Sequence, residues 1–312
     1  MKIHRSPHSL PTFPKGCALT IGNFDGVHVG HKEIISRLVA TARDMECPAV
    51  LMTFLPSPEE YFLGDSAAPR LSGASARFCM LHDSGLDHLV VLPFNRPLSD
   101  TPAEDFVRNI LVQQFGVRYL MVGDDFRFGK GRTGNFELLQ QLSEQQGYIV
   151  EQQPTVEHGG QRISSTRIRQ CLAAGDLNQA AALLGRPYAL VGRVTYGDQR
   201  GRTWGFPTLN LPVPSNPPTT GVFSVRVHGL GDGVNLGVAN LGKRPTIGGL
   251  KTLLEVHLFD FDDTVYGCRI CVELLAKIRD EKKFDSFEDL KTQILADCDV
   301  ARMFHEDNRD VM

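Results

Sequence analysis

The densest group of residues that could do chemistry is the decapeptide GNFDGVHVGH at positions 22–31. Its histidines, His28 and His31, are three residues apart, so the first turn of a helix would place both imidazoles on one face. The glycines of the segment let the backbone approach a ligand closely, and a helix beginning here would offer free N–H groups to a phosphate. The pattern predicts imidazoles that stabilise the charge on a transferring phosphoryl group. A metal site would need further ligands and an HExxH pattern, which the segment lacks.

A second polar segment, RISSTRIR at positions 162–169, combines three neighbouring hydroxyls with three arginines. Hydroxyl donors and guanidinium charge suit a polyphosphate. Taken alone, the segment is equally consistent with an ordinary helix N-cap. The candidate ligand residues here are Arg162, Ser164, Ser165, Thr166 and Arg169.

Two nearby glycine patterns are poor matches to familiar nucleotide-binding loops. GKGRTG at 129–134 has the spacing GxGxxG, but it does not directly follow the predicted strand that ends near Gly123. GDDFRFGKG at 123–131 has five residues between its glycines where a P-loop has four, and Gly131 stands in place of the metal-binding Ser or Thr. Neither a dinucleotide fingerprint nor a P-loop is therefore predicted.

The second half of the chain contains GDQRGRTWGFPTLN at positions 197–210. On an extended chain Thr208 and Asn210 face the same side, and their oxygens suit Mg²⁺ together with nucleotide phosphates. The glycine- and arginine-rich part before them, with Gly197 and Arg202, could close over the phosphates. The alternative is a simple turn leading into a strand.

A single acid, Glu255, lies in the strand-like run LLEVHLF. Alternation places Leu254, Val256 and Leu258 on one face, and Leu253, Glu255 and His257 on the other. An acid flanked by apolar strand residues could act as a general base toward a primary hydroxyl. It could equally be an ordinary solvent-facing strand residue.

The elements that must position the first group alternate between strands and helices. Strands are predicted at 17–22, 49–54, 86–94, 118–123 and 148–154, and helices at 31–43, from about 101, and at 135–147. This alternation predicts a parallel sheet covered by helices, whose ligands bind at the carboxyl ends of the strands. Residues 167–184 are predicted to form two short helices broken at Gly175–Asp176.

After residue 185 the pattern changes to short apolar runs separated by Gly, Pro and Asn. Their close spacing from 188 to 281 predicts an antiparallel barrel or sandwich, followed by a helix near 287–303 with Ser286 at its N-cap. We therefore predict two domains, 1–184 and 185–312.

Composition narrows the classes of function. The 312 residues include 42% apolar and 22% charged residues, and the net charge of −3 gives no basic surface for nucleic acid. No apolar run is long enough for a membrane span, and the N-terminus has no secretory h-region. Seven scattered cysteines argue against a disulfide framework and favour the cytoplasm. The one CxxC, Cys268 and Cys271, falls in a strand-like run and is interpreted as two incidental thiols rather than half a zinc site or a redox motif.

The motifs together resemble a known enzyme family. TIGNFDGVHVGH resembles the HxGH signature of the nucleotidyltransferases, and ISSTRIR resembles their second phosphate-binding motif. TFLPSP (53–58) and GDDFRFGKG resemble blocks of the flavin-adenylating branch, although Ser57 stands where many relatives carry His, and it is assigned no role. GDQRGRTWGFPTLN, GVANLGKRPT, LEVHLFDF and KIRDEKKF resemble riboflavin kinase in the same order. The resemblance covers roughly residues 15–302 and is to the bacterial bifunctional riboflavin kinase/FAD synthetases.

This resemblance implies a Rossmann-like α/β nucleotidyltransferase domain, followed by a mostly-β antiparallel barrel kinase domain with a C-terminal helix. The barrel would phosphorylate riboflavin with ATP and Mg²⁺ to give FMN and ADP. The first domain would adenylylate FMN with a second ATP, giving FAD and pyrophosphate.

By the same resemblance, His28 and His31 would stabilise the transition state at the α-phosphate, and Glu255 would activate the riboflavin hydroxyl. Asn23, Asp25 and Asp125 would be weaker ligand contacts. Thr208 and Asn210 would hold Mg²⁺, and the remaining nucleotide ligands would be Arg162, Ser164, Ser165, Thr166, Arg169, Gly197 and Arg202.

Two other functions stay open at this point. One is a nucleotidyltransferase with another acceptor, such as a pantetheine or nicotinamide compound, against which the kinase-like second half argues. The other is a flavin-binding regulator without catalysis, against which the intact His28, His31, Thr208, Asn210 and Glu255 argue. The oligomeric state is not predicted.

Overall fold

The computed structural model describes residues 1–5, 10–196, 206–213, 216–231, 233–246 and 249–308, and for 243–246 and 249–251 it describes the backbone alone. The chain forms two compact units. The first comprises Met1–Ala68 and Arg77–Ile163, and the second comprises Pro69–Ala76 and Ser164–Met312. No helix among the described residues is both long and apolar enough to span a lipid bilayer.

The first unit is built on a six-stranded parallel sheet, as the alternation of elements predicted. The strands run in the order β1–β4–β3–β2–β5–β6. Strands β2 and β3 are buried throughout, because both faces of a parallel sheet are covered and its strands are continuously apolar. The bounds are β1 (Lys2–His4), β2 (Cys17–Ile21), β3 (Ala49–Phe54), β4 (His88–Leu92), β5 (Val117–Gly123) and β6 (Ile149–Gln153).

The helices of this unit include those predicted at 31–43, from about 101, and at 135–147. They are α1 (Val29–Asp44), α2 (Pro58–Leu63), α3 (Ala74–His82), α4 (Arg96–Ser99), α5 (Ala103–Asp105) and α6 (Phe136–Gln146). A π-helix, Phe106–Gln114, continues directly from α5, so the helix predicted from about residue 101 is mostly π-helical. A short hairpin, β7 (Glu157–His158) and β8 (Gln161–Arg162), follows β6.

The strand order places the topological switch point of the sheet between β2 and β5. From β2 the chain continues to β3 on one side, whereas β5 pairs with the other side of β2. In open α/β sheets the crevice at the carboxyl ends of such a strand pair is the place where ligands bind. The segments that leave these two strands are the His28 loop and the GDDFRFGKG segment.

The second unit contains a six-stranded antiparallel sheet in the order β10–β13–β12–β11–β14–β9. A bridge between Thr195 and Asn210 joins its two edges, so the sheet forms a nearly closed barrel. Its elements are α7 (Ser165–Ala174), α8 (Leu177–Leu184), β9 (Tyr188–Arg193), β10 (Leu209–Pro212), β11 (Gly221–His228), β12 (Asn235–Thr246), β13 (Gly249–Leu258), β14 (Arg269–Arg279) and α9 (Phe287–Asp307).

The predicted helices of the second unit are present, although α7 begins at Ser165 and α9 extends to Asp307, beyond the predicted bounds of 167 and 303. The break between α7 and α8 is at Gly175, which has φ 77°, and Asp176 caps α8. Ser286 caps α9 by accepting a hydrogen bond from the backbone N–H of Asp289 at 3.1 Å. Helix α9 packs on the outer face of the barrel, where Cys298 and Ala301 form an apolar cluster with Val222 and Val238.

Candidate functional site

The His28 loop joins β2 to α1 through an unusual backbone. Phe24 and Val27 have φ of 49° and 41°, values that side chains with a Cβ rarely adopt. Both side chains are buried, at 3% and 2% exposure, and this burial holds the strained backbone in place. The carbonyl oxygen of Asn23 accepts hydrogen bonds from Arg77 Nη1 at 2.5 Å and from Thr53 Oγ1 at 3.4 Å. The loop is therefore held in place by the burial of two of its side chains and by hydrogen bonds to its backbone.

His28 is the N-cap of α1. Its Nδ1 accepts a hydrogen bond from the backbone N–H of His31 at 3.3 Å. Because Nδ1 is the acceptor, the proton of the neutral ring lies on Nε2, which is left as a donor. Gly30 makes room for this ring, since a Cβ at position 30 would lie 3.3 Å from both Cε1 and Nδ1 of His28.

The two imidazoles of the motif stack on each other, as the spacing predicted. Their centroids are 3.6 Å apart with an interplanar angle of 15°, and Phe24 packs on the other side of His31 with its centroid at 4.9 Å. Burial lowers the pKa of His31 well below its ordinary value, and the nearby His28 and Arg77 lower that pKa further. His31 is therefore neutral at pH 7 and can act as an N–H donor.

One atom of this pair is unsatisfied. Nδ1 of His31 is buried and has no hydrogen-bond partner among the described residues. A buried polar group without a partner is costly, and such groups concentrate at sites that a ligand completes. Of the weaker candidates in the same loop, Asn23 is exposed and Asp25 is half-buried.

Two further predicted ligand residues, Arg162 and Asp125, form an ion pair at the end of β5. Arg162 Nη2 lies 3.1 Å from Asp125 and 2.8 Å from Asp124. Asp124 also accepts a hydrogen bond from Thr155 Oγ1 at 2.5 Å. The side chains of Arg162 and Asp125 remain 43% and 75% exposed, so this ion-pair group links the β7–β8 hairpin to β5 while staying accessible.

The ISSTRIR residues lie at the start of α7, in the second compact unit. Ser164 is the N-cap, and its Oγ accepts a hydrogen bond from the backbone N–H of Arg167 at 3.2 Å. This part of the segment is thus an ordinary helix start, as one interpretation of the sequence held. Ser165 is half-buried and Thr166 is exposed. Arg169 Nε donates a hydrogen bond to the carbonyl oxygen of Pro69 at 2.6 Å.

The second candidate site lies in one row across the barrel. Asn210 on β10 faces Glu255 on β13, and Glu255 faces Asn240 on β12. Residues directly opposite on antiparallel strands share one face of the sheet. Leu254 and Val256, on the other face, are completely buried in the barrel core, whereas Glu255 is half-buried on the outer face. The predicted alternation of this strand is confirmed.

Thr208 is held just before β10 by a contact with β13. His257 Nδ1 donates a hydrogen bond to the carbonyl oxygen of Pro207 at 3.0 Å, and the rings of His257 and Phe206 pack edge to face. Thr208 and Asn210 both line a pocket of this unit. Its walls are residues 207–210, 258 and 261–266, which include the acids Asp262 and Asp263.

The pocket presents the kind of ligand set that Mg²⁺ prefers. Hydroxyl, carboxamide and carboxylate oxygens from Thr208, Asn210, Asp262 and Asp263 face it. Among the described residues no group of three or more His, Cys, Asp and Glu forms a metal cluster. Gly197 and Arg202, together with Trp204, lie outside the described residues.

Sequence reasoning missed Asn240 and His257 as parts of this site. Asn240 stands in the quoted block GVANLGKRPT, but only the strand register shows that it faces Glu255. Ser57, which was assigned no role, is the N-cap of α2 in a capping box with Glu60. The cysteines of the CxxC pair are not joined in a disulfide; Cys271 lies on β14 and Cys268 just before it.

Comparison with known proteins finds a match for each half of the chain. The family model for FAD synthetase matches residues 10–167, and that for riboflavin kinase matches residues 184–305. Bifunctional riboflavin kinase/FMN adenylyltransferases of Haemophilus influenzae and Escherichia coli K12 are each 44% identical to the chain. The alignments cover 97% of the chain and 99% and 98% of these relatives.

A solved structure described as a macrolide-efflux protein from Streptococcus pneumoniae has the same fold. Its TM-score is 0.79 at 30% identity, over 97% of this chain and 99% of that one. The matched domains follow the order of the two units, with the adenylylating half first and the kinase half second. The chain therefore belongs to the family of bifunctional riboflavin kinase/FMN adenylyltransferases.

Proposed function

We propose that this chain makes FAD from riboflavin in two steps, each at its own site. The barrel transfers the γ-phosphoryl group of ATP to riboflavin to give FMN and ADP. The parallel-sheet unit then joins FMN to the AMP part of a second ATP, releasing pyrophosphate. The observation that carries the proposal is that two unrelated constellations, the stacked His28–His31 pair and the Asn210–Glu255 row, are each assembled within one unit.

In the adenylyl transfer, we assign His28 and His31 to the α-phosphate. The phosphate oxygen of FMN attacks the α-phosphorus of ATP, the bond to the pyrophosphate oxygen breaks, and negative charge builds up on the oxygens around phosphorus. Nε2–H of His28 and an N–H of neutral His31 are donors that can stabilise that charge. The unsatisfied Nδ1 of His31 supports this assignment, because a bound ligand can supply its partner.

The leaving pyrophosphate needs positive charge and donors. We propose the backbone N–H groups of Ser165 and Thr166 at the start of α7, and the Arg169 guanidinium, as ligands of the nucleotide phosphates. Because Ser164 Oγ caps the helix, its contribution is to hold these N–H groups in place. Asn23, Asp25, Asp125 and Arg162 remain proposed ligand contacts of this reaction.

In the kinase reaction, Glu255 acts as the base that takes the proton of the riboflavin 5′-hydroxyl. Thr208 and Asn210 hold the ATP phosphates and Mg²⁺, with Gly197 and Arg202 as further phosphate ligands. The metal, when bound, neutralises charge on the transferring phosphoryl group. What the chain itself supplies is the position of the base, one strand away from the phosphate ligands.

The division of the chain at 184/185 and a cytoplasmic location also stay proposals. Residues 164–184 belong to the compact unit of the barrel, since α8 packs on β9 and β14. We nevertheless assign their polyphosphate-binding start to the adenylylating domain, because the FAD synthetase family model extends to residue 167. Neither nucleic acid nor a membrane is a proposed partner.

The decisive experiment is a time course with riboflavin, ATP and Mg²⁺, in which FMN and FAD are separated by chromatography. We expect FMN to appear first and FAD to follow, and neither to form when the metal is removed with a chelator. FAD formed from FMN, but no FMN formed from riboflavin, would contradict the kinase assignment. FMN without FAD would contradict the adenylyltransferase assignment. Pantetheine phosphate and nicotinamide mononucleotide in place of FMN test the alternative acceptors.

A further inference from the structure

The order of strands in the barrel fixes the order of groups along the catalytic row. Thr195 bridges to Asn210, and the row continues through Glu255 and Asn240 to Val222 on β11. Glu255 is thus flanked by two carboxamides, one on each neighbouring strand. The two sides differ, because only Asn210 lies beside the pocket of residues 207–210 and 261–266.

The difference between the Asn210 side and the Asn240 side of Glu255 indicates where ATP and the acceptor alcohol each bind. If the nucleotide phosphates lie on the β10 side with Thr208 and Asn210, the attacking hydroxyl must approach from the opposite side. Attacking and leaving oxygens are roughly in line through the transferring phosphorus. In the described part of the sheet, strand β12 is the neighbour of β13 on that side. The acceptor alcohol is then placed over β12, next to Asn240.

Beyond Asn240, the next position on the same face of β12 is buried beneath a carboxylate. Gly242 follows two residues later, on the same face, and has no side chain to fill the space. The carboxylate of Glu281 occupies that space, so that a Cβ at position 242 would collide with its carboxylate oxygen. The Asn240 carboxamide and the Glu281 carboxylate over Gly242 are hydrogen-bonding groups. They suit a chain of hydroxyls better than an apolar ring.

We propose that Asn240 is a substrate-binding residue of the kinase site. It holds the hydroxylated chain of the acceptor alcohol on the β12 side of Glu255, and Glu281 binds the same chain above Gly242. The proposal rests on the kinase function assigned to Glu255 and the phosphate-binding role assigned to Asn210. Beyond that function, it states the direction from which the acceptor alcohol approaches Glu255, and it names Asn240 as a residue that determines which acceptor binds.

The first test compares the Michaelis constants of the two substrates in Asn240→Leu. Loss of one hydrogen-bonding side chain should raise the KM for riboflavin about tenfold and leave the KM for ATP within about twofold. Asn235→Leu, at the start of the same strand and opposite Val227, is the matched control and should change neither. Far-UV circular dichroism of both variants checks that the barrel is still folded. A rise in the KM for ATP, or no rise for either substrate, would overturn the proposal.

A second test uses the space at Gly242. Gly242→Ala displaces the Glu281 carboxylate and should raise the KM for riboflavin several-fold in the parent chain. In a Glu281→Ala background the same substitution should have little effect, because the group it displaces is already gone. Equal effects in both backgrounds would remove Glu281 from the acceptor site.

Failure of this inference is distinct from failure of the proposed function. Glu255→Gln retaining full riboflavin phosphorylation would refute the assigned base, and with it the kinase mechanism. Glu255→Gln being inactive while Asn240→Leu has unchanged constants would refute only the placement of the acceptor over β12.

Discussion

The His28 loop and the row of Asn210, Glu255 and Asn240 across the barrel both bring several functional groups together, but they do so in different ways. In the loop, the chemistry is contiguous in sequence, and the N-cap hydrogen bond joins residues three apart. In the row, Asn210, Glu255 and Asn240 come from three different strands and meet only through strand register. The comparison teaches that a site made by a helix start can be recognised locally, whereas a site made across a sheet is visible only after folding.

The two regions also differ in how they hold their side chains. The loop depends on strained backbone at Phe24 and Val27, anchored by buried side chains. The row depends on regular ladder hydrogen bonds and a core face of fully buried leucines behind it. A small steric change should therefore disturb the loop more than the row.

His28→Ala should have the largest effect. It removes both the Nε2–H donor and the helix N-cap, so we expect adenylylation of FMN to fall by about 10³-fold. Riboflavin phosphorylation should stay within about twofold of the parent chain. Pyrophosphate release with FMN and ATP measures the first rate, and His82→Ala, an exposed histidine on α3, is the control. Loss of phosphorylation in a folded His28→Ala protein would contradict the separation of the sites.

Glu255→Gln should give the reverse pattern with a comparable or smaller loss. Removing a general base costs roughly 10²- to 10⁴-fold, so phosphorylation of riboflavin should fall by about 10²-fold or more, while adenylylation of supplied FMN is unchanged. Coupled ADP release measures the loss. Glu288→Gln, exposed in the first turn of α9, is the matched control. Unchanged phosphorylation would show that another group takes the proton.

Gly30→Ala tests the steric sensitivity of the loop. The new methyl group would lie 3.3 Å from the His28 ring and push it away from its N-cap position. We expect adenylylation to fall about tenfold, since small displacements of catalytic groups are costly. Gly73→Ala, where a Cβ meets no atom within 4 Å, should leave the rate unchanged. Equal rates in both variants would show that the ring position is not critical.

The smallest effect concerns the pH dependence of stability in the barrel unit. His305 Nε2 lies 3.0 Å from Ser224 Oγ, and burial lowers the pKa of His305 below its ordinary value. Below pH ~6.5 the unfolded chain binds a proton that the native ring resists, so the free energy of unfolding falls as the pH falls. This amounts to at most about 1 kcal/mol between pH 6.5 and 5.5.

Urea unfolding at these two pH values measures the effect. His305→Asn should be less stable than the parent chain at pH 7 but lose less stability on acidification, and His82→Asn should behave like the parent. A His305→Asn variant with the same pH dependence as the parent would show that His305 does not titrate on unfolding.

Most of the fold could be predicted, because its signals are local. The alternation of buried strands and amphipathic helices gave the parallel sheet, and the glycine- and proline-punctuated runs gave the barrel. Strand β1 was missed because KIH has only Ile3 as an apolar residue, and its pairing with β4 supplies the structure. The π-helical turns of Phe106–Gln114 have the same apolar periodicity as an α-helix at this length, so sequence could not separate them.

The sequence predicts contacts between residues that are close along the chain better than contacts that depend on strand register. The stacking of His28 and His31 follows from three-residue spacing at a helix start. That Ser164 serves as an N-cap was one of two open alternatives, because capping and phosphate binding use the same residue types. The place of Asn240 beside Glu255 depends on the register of β12 with β13, which no short segment encodes.

If one chain holds two independent sites, each reaction can be lost without the other. To measure this, riboflavin, ATP and Mg²⁺ are supplied to His28→Ala and, separately, FMN, ATP and Mg²⁺ to Glu255→Gln, and FMN and FAD are followed by chromatography. We expect His28→Ala to accumulate FMN at the parental rate without FAD, and Glu255→Gln to convert FMN to FAD at the parental rate. Loss of both reactions in either folded variant would contradict the independence of the two sites.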